Sequence, residues 1–188
     1  MTRLLIIGPP GSGKGTQAAR ISERLGVVAV STGDIFRANV KEQTPLGVEA
    51  KKYIDNGDFV PDSVTNNMVR DRLAQTDVSE GFLLDGYPRT SAQVDELDSI
   101  LADNDQALDA VLQLTADDDE LVARLLKRAE IEGRADDTED VIRHRLALYH
   151  EQTQTVVDRY LDRGIVRQVD GIGPIDEVTD RVLGALKS

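Results

Sequence analysis

Nine consecutive residues, Gly8-Pro9-Pro10-Gly11-Ser12-Gly13-Lys14-Gly15-Thr16, constrain this chain more than any other feature. They follow an apolar run of strand character, Arg3 to Ile7, and lead into helical patterning from Lys14 to Leu25. Glycines let the backbone approach an anion closely, the positive end of the following helix favours negative charge, and Lys14 adds a mobile cation. Strand, glycine-rich turn and helix in this order predict a phosphate cradle. The common form of such a loop has Ser or Thr directly after Lys. Here Gly15 takes that place and the hydroxyl comes one residue later at Thr16, which leaves a metal contact by Thr16 open.

The same alternation continues along the chain. Short apolar runs at Val27 to Val30, Phe82 to Leu84, Ala110 to Leu114 and Ile165 to Val169 read as further buried strands. Helical patterning spans Thr65 to Ala74, Ser91 to Ala102, Asp118 to Ala129, Glu139 to Leu161 and Ile175 to Leu186. This predicts an α/β fold, a five-stranded parallel sheet flanked by helices. Two segments depart from the pattern. Residues 31–60 carry helical patterning without a strand, including Asp34 to Lys41 and Leu46 to Ile54, and read as a small helical insertion. Arg128 to Thr138, polar and containing Gly133, reads as an exposed loop between two helices. The expected division is a core of residues 1–30, 61–127 and 139–188, with excursions at 31–60 and 128–138.

With 188 residues and no long linker, the chain is sized for one folding unit. It has no Cys, which excludes disulfides and thiolate metal sites, and its two histidines, His144 and His150, cannot build a His-rich centre. Both histidines sit in a polar helical pattern and read as surface residues. Acids outnumber bases 34 to 22 for a net charge of −12, which argues against nucleic acid as a partner. The apolar run Leu4 to Ile7 is too short for a signal peptide core or a membrane span, so a soluble cytoplasmic protein with no membrane partner is expected.

Chemistry beyond the loop rests on carboxylates and arginines. Asp85 ends the apolar run Phe82-Leu83-Leu84, at the carboxyl end of a strand where open α/β sheets bind ligands; it reads as a metal-facing acid or as a turn former before Gly86. Tyr87-Pro88-Arg89 then projects a guanidinium suited to bidentate phosphate contact. Arg124 and Arg128, four apart, share one helix face. Arg143 and Arg145 are two apart on the next helix, so at most one of them enters a cleft. The alternative for any of these arginines is pairing with Asp136, Asp137, Glu139 or Asp140 on a solvated surface. Ser31 fits a helix cap with Asp34 in the first turn. The acidic run Asp117 to Glu120 reads as a helix start rather than a metal cluster.

Taken in order, Gly8 to Thr16, Ser31-Thr32-Gly33-Asp34 with Arg37, Asp85-Gly86-Tyr87-Pro88-Arg89 with Gln93, Arg124 with Arg128, Arg134 with Asp136-Asp137, Arg145, and Val169-Asp170-Gly171 resemble the motifs of adenylate kinases over nearly the whole chain. The resemblance implies a P-loop NTPase-like core and reversible transfer of the ATP γ-phosphoryl group to AMP, giving two ADP. It implies that residues 31–60 form the monophosphate-binding domain and 128–138 the lid. ATP would be held by Gly11, Ser12, Gly13, Lys14, Gly15, Thr16, Arg124, Arg128 and the Gly173 backbone. AMP would be held by Thr32, Arg37, Asp58, Phe59, Val60, Gly86, Tyr87, Pro88, Arg89, Gln93, Arg134 and Arg145. Lys14, Arg89, Arg124, Arg134 and Arg145 would act on the transferring group. Mg²⁺ would be carried mainly by the nucleotide phosphates and water, with Asp34, Asp85 and Thr16 reaching it through water. Only five residues separate Arg128 from Arg134, so the chain resembles the short-lid class, without structural zinc, and a monomer is expected. Two rival readings remain at this point: a UMP/CMP kinase on the same scaffold, and a nucleotide-dependent switch that transfers to no small acceptor.

Overall fold

The computed structural model describes residues 2–56, 60–133 and 138–188. Five strands, β1 (Thr2–Ile7), β2 (Val28–Ser31), β3 (Gly81–Asp85), β4 (Ala110–Thr115) and β5 (Val166–Asp170), form one sheet in the order β2-β3-β1-β4-β5. All neighbouring pairs are parallel. Parallel strands need crossovers, and the described residues supply eight helices: α1 (Lys14–Leu25), α2 (Thr32–Lys41), α3 (Pro45–Asp55), α4 (Asp62–Leu73), α5 (Ser91–Asp103), α6 (Asp118–Glu132), α7 (Glu139–Leu161) and α8 (Ile175–Leu186).

Both faces of the sheet are covered, which is why its strands are continuous apolar runs rather than alternating ones. Because successive side chains point to opposite faces, Leu4 and Ile6 pack with Leu83, Leu112, Ile21 of α1 and Val178 and Val182 of α8. Leu5 instead joins Phe82, Leu84, Val111 and residues of α4, α5 and α7 in the larger cluster. Leu4 and Leu5 are both fully buried. A third, smaller cluster, Leu121, Val122, Ile142 and Leu146, joins α6 to α7. One polar tie crosses the first face: the Thr179 hydroxyl donates to Gln17 Oε1 at 2.7 Å, and Gln17 Nε2 donates to the Ile175 carbonyl at 3.1 Å.

The helical insertion is present as α2 and α3. α2 starts at Thr32, earlier than the pattern indicated, with the Ser31 hydroxyl accepting from the Asp34 N–H at 3.3 Å. α4 likewise starts at Asp62 rather than Thr65, directly after Pro61. The expected loop from Arg128 is corrected: α6 runs on to Glu132 and stops at Gly133. Residues 128–132 are good helix formers that continue the turn spacing of Leu121 to Leu125, and nothing before Gly133 breaks it.

Register then sets the functional edge. Asp85 lies beside Ile6 on one side and Ser31 on the other, and Thr115 lies beside Asp170. The segments leaving β1, β2, β3, β4 and β5 therefore share one carboxyl edge. β2 and β3 lie on one side of β1 and β4 and β5 on the other, so the chain reverses its winding beside β1, where open sheets bind ligands.

Candidate functional site

The loop from Gly8 to Gly13 has the backbone its sequence demands. Gly11 and Gly13 take left-handed values, φ 82° and 78°, which side chains with a Cβ rarely adopt. Gly13 caps α1, so the free N–H groups of the first helical turn face the loop's concavity. Ser12 is 2% exposed and its hydroxyl has no hydrogen-bond partner among the described residues, a polar atom buried within the cradle.

Lys14 forms an ion pair with Asp85 at the end of β3. Both side chains are partly exposed, so each is reachable by a ligand. From the other side α6 comes close. An added Cβ at Gly11 would meet Leu125 at 3.0 Å, and Arg124 donates to the Gly11 carbonyl at 3.3 Å.

The phosphate loop, Lys14, Arg124 and Leu125 line one cleft of about 690 Å³, with Asp85 outside its lining. Its floor is the segment from Ile6 to Thr16, one wall is Gly86 to Arg89, and the other is Arg124, Leu125 and Arg128 of α6 with Arg145, Tyr149, Gln152, Thr153 and Val156 of α7. Among the described residues, five of those lining it are cations, Lys14, Arg89, Arg124, Arg128 and Arg145, and none is acidic. In a chain of net charge −12 this gathers cations in one cleft, with Asp85 beside Lys14 and Glu132 beside Arg128, while screening over about 8 Å limits the reach of the more distant acidic exterior. Arg145 lines the cleft while Arg143 pairs with Asp119 and Glu139 outside it, as the two-residue spacing required. Arg128 also contacts Glu132 one turn on, at 3.3 Å.

The turn after β3 is tightly built. Arg89 Nε donates to the Gly86 carbonyl at 2.9 Å, which lays the guanidinium along the turn. A Cβ on Gly86, at φ 89°, would fall 2.5 Å from the Thr32 hydroxyl, so only glycine lets this turn touch the start of α2. Tyr87 is buried and donates to Asn66 Oδ1 at 2.8 Å. Burial raises its phenol above the ordinary range, with the Glu96 and Asp62 carboxylates adding to the effect. The Tyr149 phenol, half-buried in the α7 wall, is pushed up to about 12 by desolvation.

Several expected residues lie near the cleft but do not line it. Arg37 folds back over Gly33 and pairs with Asp34. Asp34 lines a separate cavity of about 710 Å³ between α2, α3 and α4. Thr32 and Gln93 are buried behind the Gly86 turn, and Val60 packs on the larger core cluster. Gly173 follows β5, and its neighbour Gly171 approaches the Ser12 carbonyl, so that loop borders the phosphate loop. Asp58, Phe59, Arg134, Asp136 and Asp137 lie outside the described residues. The acidic run from Asp117 is indeed the first turn of α6, with Asp118 bonded to His150 at 2.9 Å. Among the described residues no group of three or more His, Asp or Glu side chains is placed to hold a metal ion.

Sequence reasoning missed the α7 wall beyond Arg145. Its signal is the stripe at 145, 149, 152, 153 and 156, the three- and four-residue spacing of one helix face.

Comparison with known proteins agrees with this construction. The family model described as adenylate kinase matches residues 6–165. The adenylate kinase of Pseudarthrobacter chlorophenolicus is 77% identical over 188 residues, covering 100% of this chain and 98% of the relative. That of Kocuria rhizophila is 71% identical over 187 residues, with 100% of both covered. That of Thermobifida fusca is 54% identical over 186 residues, covering 99% of this chain and 98% of the relative. With the phosphate loop, the arginine-lined cleft and full-length similarity in agreement, the chain belongs to the adenylate kinase family.

Proposed function

We propose that this chain catalyses the reversible transfer of the ATP γ-phosphoryl group to AMP, producing two ADP. The observation that carries this is the cleft whose lining, among the described residues, holds five cations and no acid, with the phosphate loop on its floor and the Gly86 to Arg89 turn facing it. A single triphosphate needs the loop. A second cationic wall suits a second phosphate brought against the first.

The transfer is direct. An oxygen of the AMP phosphate attacks the γ-phosphorus, the new P–O bond forms in line, and the bond to the bridging oxygen of ATP breaks with ADP leaving. The attacking oxygen is already ionised, so no general base is required, and the cleft presents none. What the reaction needs is neutralisation of two polyanions and of the charge that spreads over the γ-oxygens. The loop N–H groups and Lys14 grip the ATP phosphates, Arg89 grips the AMP phosphate, and Arg124, Arg128 and Arg145 reach the transferring group from the opposite wall. Arg134 joins them from the lid, residues 128–138, while residues 31–60 hold AMP with Thr32, Arg37, Asp58, Phe59 and Val60, and Gly173 offers backbone to adenine. Excluding water protects the γ-phosphoryl group from hydrolysis, which is the use of two excursions around one cleft.

Mg²⁺ fits this site through the nucleotide. Asp85, at the end of β3 and paired with Lys14, would reach it through water, as would Thr16 in the first turn of α1; Asp34 lines a different cavity. The ion would neutralise phosphate charge. A monomeric cytoplasmic enzyme of nucleotide supply is the accompanying reading; no described helix is long and apolar enough to cross a membrane.

The test is the choice of acceptor. With saturating MgATP, AMP is expected to support turnover at a kcat/KM at least about tenfold above CMP, UMP and GMP, a margin of one good hydrogen-bonded contact. A preference for CMP or UMP would assign the scaffold to the pyrimidine reaction instead, and MgATP binding without transfer to any of them would leave a nucleotide-dependent switch.

A further inference from the structure

We infer that Asp62 is a specificity-determining residue that acts through Gln93: it locks the Gln93 amide in the one orientation that complements adenine and opposes guanine. This rests on the proposed function and on the expectation that Gln93 is among the residues that hold AMP, its contact being taken as one to the base.

Gln93 is 6% exposed, so its amide polarity is set by its neighbours rather than by water. Its carbonyl oxygen accepts the Arg89 backbone N–H at 2.7 Å, and its Nε2 donates to Asp62 Oδ1 at 3.0 Å. A backbone N–H can only donate and an ionised carboxylate can only accept, so these two partners dictate which end of the amide is which. The Thr90 hydroxyl fixes the backbone in turn, accepting from the Gln93 N–H at 3.1 Å.

A primary amide has two acceptor sites on oxygen and two N–H donors. One of each is consumed here. One acceptor and one donor remain for a base, the pair of groups with which Gln meets the adjacent amino donor and ring-nitrogen acceptor of adenine. Guanine presents an oxygen acceptor where adenine presents its amino group. To pair with it the amide must turn over, setting NH₂ against the Arg89 N–H and oxygen against the Asp62 carboxylate. Both contacts then become repulsive, and discrimination follows from the cost of that reversal.

Asp62 is held for this task by its own helix. It occupies the first turn of α4, and Asn66, four residues on and so on the same face, takes the Tyr87 hydroxyl. One face of α4 therefore holds the turn at Tyr87 and the first turn of α5 at Gln93. α4 begins directly after the 31–60 segment, so the chain that encloses the acceptor also sets its reader.

The experiment compares kcat/KM for AMP and GMP, with saturating MgATP, in the wild type and in Asp62→Ala, Asp62→Ser, Asp62→Asn and Gln93→Ala, beside thermal unfolding of each. Ala and Ser are too short to reach Gln93, whereas Asn still offers a carbonyl acceptor. The expected result is that both short variants lower the AMP-to-GMP ratio about five- to tenfold, through a raised KM for AMP with little change in kcat. Asp62→Asn lowers the ratio as well, by about two- to fivefold, because its amide can turn to donate to a reversed Gln93 where the carboxylate could only accept. The proposal is overturned if the short variants keep the wild-type ratio while Gln93→Ala loses it, whether or not their unfolding temperature falls. If Gln93→Ala also keeps the ratio, Gln93 does not read the base, and the lock falls together with that assignment. If neither short variant folds, Asp62→Asn carries the test: a wild-type ratio in it overturns the proposal, and a lowered ratio in it together with a Gln93→Ala double variant no lower than Gln93→Ala alone supports it.

Discussion

Arg89→Ala lowers kcat for phosphoryl transfer by about 10²- to 10³-fold, the cost of removing one preorganised charge from a transition state. The fold survives, because the side chain is exposed and its one described side-chain bond, to the Gly86 carbonyl, lies at the surface. The guanidinium lies along the turn at the cleft wall, so its charge is in place before substrates arrive and no reorganisation is needed during the step. Arg89→Lys restores only part of the rate, since an ammonium cannot present the planar pair of donors that grips two phosphate oxygens. Steady-state kinetics with MgATP and AMP beside thermal unfolding checks this. A near-normal kcat in Arg89→Ala with an unchanged unfolding temperature would remove Arg89 from the mechanism.

Lys14→Met is expected to lower the ATP-dependent rate by at least about 10²-fold. The effect has two parts. The loop loses its mobile cation, and Asp85, whose charge Lys14 neutralises, is left facing the incoming triphosphate. The second part predicts that Lys14→Met, Asp85→Asn recovers some of the loss of MgATP affinity without recovering kcat. Calorimetric titration of MgATP and single-turnover transfer separate the two. An unchanged ATP-dependent rate in Lys14→Met would exclude Lys14 from catalysis.

Much of this architecture was legible in the sequence because it is local. The parallel sheet follows from short, two-face-buried runs such as Leu4 to Ile7, and α1, α7 and α8 have the limits that their apolar spacing indicates. The phosphate loop was legible because two of its glycines, Gly11 and Gly13, occupy positive φ. Arg143 and Arg145 separated as helix geometry requires. The end of α6 was not legible: a polar run from Arg128 looks like a loop until helix propensity is weighed over polarity, and it continues to Glu132. Contacts between distant segments were not legible either. Neither the Lys14 pairing with Asp85, 71 residues away, nor the Asp62 bond to Gln93, 31 residues away, is encoded in any local pattern. They come from strand order and from the face of α4 that packs on the turn.

The account depends on one cleft seating two nucleotides end to end. Its most direct measurement supplies the purified protein with MgADP alone and follows ATP formation through a coupled hexokinase and dehydrogenase assay. The prediction is sustained ATP production with equimolar AMP, abolished by a linked diadenosine oligophosphate that spans both nucleotide positions. No ATP from ADP, in protein that is folded and binds MgATP, would contradict it.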